Sequence, residues 1–420
     1  MPLTALAPVT LLAAFALSAH AAPPAPAATG LTLHEWGTFT SFQGSSGRQL
    51  RYNALPGDDL PPFIFGAARQ SGETDSNEEF VKTYLTGLHR METPVIYFYT
   101  PNPITLDARV NFTPGLISEW FPPASSASLI DSPNAFRFRG ASSLRWQGLH
   151  LTAAPCPGTA PAATANIPPS TASATPPPPL PPSPHNPNAK PSHYFSARGV
   201  GSSTLTLTRN GRDYAEEFLF YRGITDFPFP ATLRALGNGR FEFSPGPKGS
   251  QPVAALFLIS VDEDRLRFAR FDNTAAPREL TLQDMPATLP DLSAAVQSAL
   301  VSAGLFEKEA AAMVATWRDL WFTERGTRVL YLLPQPLIDQ VLPLSTSPAA
   351  TSTVRVFVGR MDILTPELES SLALARRAAK SGNEAAAKRF AQLIAPYPRF
   401  AGAIAEHTDA LIAPPVNPPQ

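Results

Sequence analysis

The chain has 420 residues, enough for two or three domains, and 44% of them are apolar, ample for a sizeable core. A formal net charge of -1 supplies no long-range attraction to nucleic acid or to an anionic membrane surface, and nucleic-acid binding is set aside on that ground. The single cysteine, Cys156, excludes an intramolecular disulfide, and its place between Pro155 and Pro157 reads as incidental.

Residues 1–21 carry no charged side chain, hold an apolar run from Val9 to Leu17 and end in Ala19-His20-Ala21, the small-x-small pattern of a signal-peptidase site. The sequence therefore predicts a signal peptide over 1–21, a flexible Ala/Pro lead-in over 22–30, and export to the periplasm or the exterior. No later stretch approaches the roughly 18 apolar residues of a membrane-spanning helix, so no transmembrane anchor is expected.

Order begins at Leu31-Thr32-Leu33-His34-Glu35-Trp36-Gly37-Thr38-Phe39-Thr40, a strand with Gly37 as a bulge or close approach. Asn77 caps a predicted short helix with Phe80, Tyr84 and Leu88 on one face. Val95–Tyr99 is apolar on both faces, as in a central strand, and Ile104–Phe112 alternates as a half-exposed one, with Pro101-Asn102-Pro103 as a hairpin-like turn between them. Strands are expected at Leu116–Phe121, Phe136–Arg139 and Leu144–Leu151. The proline-dense segment 153–192 buries too little apolar surface to order and reads as a disordered insertion. Strand patterns resume at Tyr194–Val200, Thr204–Arg209 and Tyr214–Tyr221, with an Asn210-Gly211 hairpin turn. Hairpins follow around Gly237-Asn238-Gly239 and Asp262-Glu263-Asp264, and a strand at Glu279–Leu282.

After Pro286 helical periods take over: Leu292–Ala303, closed by Gly304, then Glu307–Phe322 with Ala310, Met313, Val314, Trp317 and Trp321 on one face. Strands Arg328–Leu333 and Thr353–Gly359 precede three helices over 366–380, 384–395 and 399–412, the first capped by Thr365 with Pro366 behind it. The expected fold is α+β, mainly antiparallel β and sandwich-like, with a β-rich domain over 31–285, an α/β part with a helical appendage over 286–413, and a tail over 414–420.

Phosphate-loop, nucleophile-elbow and metalloprotease motifs are absent. His34, His89 and Glu92 are candidate ligands for a divalent metal such as zinc, with Glu35, Glu92 and Arg222 as candidate catalytic groups. Alternation objects to one part of this, because His34 and Glu35 point to opposite faces of a regular strand. Trp36, Trp120 and Trp146 suggest a sugar-stacking platform or ordinary core. Gly44-Ser45-Ser46-Gly47 reads as a flexible loop, Asp262-Glu263-Asp264 as a solvated turn, and His407 as a satisfied core residue. His150 and His193 flank the insertion and would either meet in space, if it is a loop, or share rim positions, while Arg222 at a strand end reads as an anion-binding group or as the partner of Glu92 or Glu119.

The blocks Leu33-His34-Glu35-Trp36-Gly37-Thr38-Phe39-Thr40-Ser41, Glu92-Thr93-Pro94-Val95-Ile96-Tyr97-Phe98-Tyr99, Glu217-Phe218-Leu219-Phe220-Tyr221-Arg222-Gly223, Thr316-Trp317 with Arg328-Val329-Leu330-Tyr331-Leu332-Leu333-Pro334, and Val356-Phe357-Val358-Gly359-Arg360 resemble an uncharacterised family of exported bacterial proteins. The resemblance implies export and one integrated fold, and it transfers no catalytic residue. The leading expectation is an exported binding or envelope-associated protein. The alternatives are a secreted metal-dependent hydrolase and a carbohydrate-binding module.

Overall fold

The computed structural model describes residues 30–55, 64–66, 85–113, 115–128, 141–157, 193–246, 251–263 and 265–414. The expected signal peptide, the strand at Phe136–Arg139 and nearly all of the lead-in, the insertion and the tail lie outside them. So does most of the helix expected from Asn77, and its last positions, Thr86 and Gly87, form a strand instead.

In chain order the first strands are β1 (Thr32–Gln43), β2 (Tyr52–Asn53), β3 (Phe65–Gly66), β4 (Thr86–Gly87), β5 (His89–Tyr99), β6 (Ile104–Phe112), β7 (Gly115–Phe121), β8 (Ser126–Ser128) and β9 (Ser142–Leu151). After a 3-10 turn at His193–Ala197 come β10 (Leu205–Arg209), β11 (Arg212–Glu216), β12 (Leu219–Thr225), β13 (Ala231–Gly237), β14 (Arg240–Pro245), β15 (Val253–Asp262), β16 (Arg265–Thr274) and β17 (Arg278–Thr281). Then follow α1 (Leu289–Ser302), α2 (Glu307–Phe322), β18 (Gly326–Leu333), α3 (Gln335–Val341), β19 (Leu344–Ser347), β20 (Ser352–Ile363), α4 (Pro366–Lys380), α5 (Glu384–Ile394) and α6 (Ala401–Ile412).

The architecture is α+β with mainly antiparallel sheets. A nine-stranded sheet, in the order β16-β15-β18-β20-β1-β5-β12-β7-β3, forms the middle layer. Its strands come from both sides of residue 286, and the parallel pair of β1 with β20 lies at its centre. One face carries Leu33, Phe39, Phe98, Tyr221 and Phe357 against the six-stranded sheet β11-β10-β9-β6-β19, in which β8 also pairs with β9, and the three-stranded sheet β13-β14-β17. The other face carries Trp36, Tyr97, Phe257 and Val356 beneath α1 and α2, whose Val296, Met313, Trp317 and Trp321 supply the helical side of that core. The C-terminal helices α4 to α6 pack Leu372, Phe390 and Ile404 with Phe42, Tyr52 and Ile224 at one end of the sheet.

Several local expectations are corrected. Pro101-Asn102-Pro103 does not close a hairpin, because β5 and β6 belong to different sheets. Tyr194–Val200 is not a strand; its first residues form the 3-10 turn, where Tyr194 lies edge-on to Trp317. The run read as Tyr214–Tyr221 is two strands in two sheets, β11 and β12. The two-residue turn at Asn210 (φ 52°) and Gly211 (φ 72°) has the positive angles its sequence demands.

Candidate functional site

Position 37 decides which way the candidate residues face. A Cβ there would sit 2.7 Å from Phe357 Cε1 and 3.0 Å from the Pro94 Cα, so only glycine allows the approach. Opposite Gly37 the register shifts: Trp36 faces Val95 and Thr38 faces Glu92, so β5 carries an extra residue around Pro94. The same shift recurs against β12, between Phe220 and Gly223. Such a bulge absorbs the missing N–H of proline and flips the alternation. It turns Arg90 and Glu92 toward the helix-covered face, and leaves Met91 and His89 facing the other sheets.

On the helix-covered face the charges then line up across adjacent strands. Arg222 of β12 donates from Nε and Nη2 to both oxygens of Glu119 on β7, at 2.8 and 3.1 Å. Glu92 pairs with Arg90 Nε at 2.9 Å and accepts from Thr40 Oγ1 of β1 at 2.7 Å. On β20 and β18, Asp362 accepts from Arg360 Nε at 2.7 Å and from Arg328 Nε at 3.0 Å. Arg328 Nη1 also donates to the Trp321 carbonyl and Arg360 Nη1 to the Leu320 carbonyl, so two guanidiniums close the C-terminal end of α2. Glu324, just beyond that helix, takes Arg360 on one oxygen and Arg399 on the other.

Burial raises the Asp362 carboxyl, but Arg360 and Arg328 outweigh it and hold the group below its ordinary range. Burial also opposes the Arg360 charge, yet Asp362 and Glu324 keep that guanidinium above its usual range. For Arg328 burial wins and the shift is downward.

A second network lies on the opposite face. Glu35 accepts from Tyr221 Oη and Arg355 Nε, both at 2.6 Å, and Arg355 Nη1 reaches Asp339 of α3 at 2.9 Å. Burial, then the charge of Glu35, lifts the Tyr221 phenol well above its ordinary range.

His34, one residue away, points to the helices. Its Nδ1 meets Glu309 Oε2 of α2 at 2.8 Å, and Glu309 also accepts from Tyr99 Oη and the Phe306 amide. The imidazole stacks on Phe306 at 4.3 Å. His34 Nε2 makes no hydrogen bond among the described residues.

The proposed metal set of His34, His89 and Glu92 is therefore corrected. His34 stands opposite Tyr97, Glu92 opposite Thr38 and His89 opposite Ser41. At about 3.3 Å per residue these positions lie roughly 13 and 23 Å from His34 along the sheet. His89 and Glu92 also face opposite sides. The His89 ring stacks on Phe227 at 4.2 Å, its Nε2 donates to the Phe227 carbonyl at 2.8 Å, and burial lowers its pKa to about 4. Among the described residues no group of three metal-binding side chains forms.

Among the described residues the candidate catalytic groups Glu35, Glu92 and Arg222 have different ionic partners, Arg355, Arg90 and Glu119 respectively. The tryptophan platform is corrected as well, since Trp36, Trp120 and Trp146 are fully buried. His150 is exposed and bonds Thr105, while His193 packs on Trp317 in another layer, so the two do not meet. His407 is hydrogen-bonded to Glu369, which also holds Ser45 of the Gly44–Gly47 loop.

Sequence reasoning missed Glu309, Glu324, Arg328, Arg355, Arg360 and Asp362. The signal for three of them was a charge within an apolar strand: Arg328 beside Val329-Leu330, and Arg360 and Asp362 around Met361. Comparison of the chain with protein-family models and with curated proteins gives no match.

Proposed function

We propose that this is an exported protein that works by binding a component of the cell envelope, on a scaffold held by its buried ionic networks. One observation carries this reading: the reactive groups singled out in the sequence are committed to internal partners on both faces of the central sheet. Glu35 serves Tyr221 and Arg355, Glu92 serves Thr40 and Arg90, and Arg222 serves Glu119. Charges so paired over-determine a fold, and chemistry on a substrate would first have to break them. Among the described residues no helix is long and apolar enough to cross a membrane. The test is sedimentation of the mature chain, Ala22–Gln420, with isolated envelope material. Saturable retention supports the reading, and complete recovery in the supernatant overturns it.

A second reading, hydrolysis, is favoured by one feature. A carboxylate that holds His34 Nδ1–H leaves Nε2 to accept a proton or a metal, the arrangement in which histidines serve as general bases and ligands. A screen of ester and amide substrates, with His34→Ala beside wild type, tests it. Turnover lost in the variant would support hydrolysis.

A further inference from the structure

The outer face of the six-stranded sheet carries polar groups whose hydrogen-bonding capacity its own fold uses only in part. Thr206 of β10 stands between His150 of β9 and Ala215 of β11, and Thr208 stands beside Asp213. All five are exposed. They line an open groove of about 340 Å³, at the lower end of the roughly 300–1,000 Å³ typical of ligand sites. Ala215 carries the smallest side chain of the groove's lining.

We infer that this groove binds an uncharged saccharide, an inference that takes its context from the envelope-binding reading. The chemistry of the lining selects the class. Thr208 Oγ1 donates to Asp213 Oδ1 at 2.6 Å, which leaves Oδ2 to accept from a ligand. Thr206 makes no hydrogen bond through its side chain among the described residues, so its hydroxyl is free both to give and to accept. Thr105 occupies His150 Nδ1 at 2.8 Å, and His150 is among the residues lining the groove. Hydroxyl, carboxylate and imidazole side by side match a ligand whose own hydroxyls both donate and accept.

An anionic ligand would want guanidinium or ammonium groups, and among the described residues no Arg or Lys lines the groove. A hard cation needs about six oxygens, and one carboxylate with two hydroxyls falls short.

The experiment is calorimetric titration of the mature chain with cellotetraose, maltotetraose and chitotetraose, alongside Ala215→Phe, which fills the groove, and Asp213→Ala, which removes the acceptor. Both altered positions are exposed, so folding is checked simply by an unchanged unfolding curve. The inference predicts saturable binding of at least one tetrasaccharide, weakened about tenfold or more in both variants. Absence of binding to all three, or binding unchanged in Ala215→Phe, overturns it. Envelope retention by wild type without binding of any tetrasaccharide would overturn the groove alone and leave the envelope reading standing. Loss of retention in wild type would remove that reading whatever the titration shows.

Discussion

Replacing His89 by phenylalanine separates a hydrogen bond from a proton-linked penalty at one buried position. The wild-type ring is fully buried, and burial lowers its pKa from 6.5 to about 4. Between those values the unfolded chain binds a proton that the native state refuses, so stability falls as pH drops through that window and levels off below about 4. At about 1.36 kcal/mol per pH unit, the full loss is roughly 3 kcal/mol. Phenylalanine keeps the stack on Phe227 but removes the donor to its carbonyl, which costs about 1–3 kcal/mol near neutral pH. The variant therefore starts less stable, and its deficit shrinks or reverses by about pH 4. Urea-unfolding free energies measured across this range test the point. Parallel curves for the two proteins would refute the assignment of a neutral, proton-refusing His89.

Other consequences follow from the networks and the close approaches. Asp362→Asn leaves two buried guanidiniums, Arg328 and Arg360, sharing a neutral partner, and should lower unfolding stability by about 3–5 kcal/mol. The exposed Arg234–Glu242 pair is the control: Arg234→Ala should change stability by no more than about 1 kcal/mol in the same urea assay. Gly223→Ala places a Cβ 1.8 Å from the Leu116 carbonyl oxygen, which belongs to backbone and cannot swing aside. A loss of about 3 kcal/mol or more is expected, visible as a drop in melting temperature.

Much of the fold was legible because its signals are local. Helix α2 begins and ends where its apolar face predicts, and Thr365 accepts from the Leu368 amide as the cap it was expected to be. The Asn210-Gly211 turn needs no tertiary context. Helix α3 was not seen because it is seven residues long and has prolines at 334 and 336, which read as breakers although Pro336 lies in its first turn. Strand β20 runs past Gly359, where its sequence pattern stops, since Arg360 and Asp362 look like surface residues until Arg328 and the end of α2 are brought beside them.

The candidate site failed for the opposite reason, distance along the chain. Glu35 finds its partners 186 and 320 residues away, at Tyr221 and Arg355, and His34 finds Glu309 275 residues on. Strand alternation correctly separates His34 from Glu35. The bulge at Pro94, which sends Glu92 to the helical face, is set by Gly37 and Phe357 together and no single stretch shows it.

The most direct test of the claim that these groups serve each other is the transition-metal content of the mature chain, purified without chelator, for wild type beside His34→Ala. With His34 held by Glu309 as part of the frame, metal content should be the same in the two proteins. One stoichiometric ion in wild type that disappears in His34→Ala would contradict the account and make His34 a ligand.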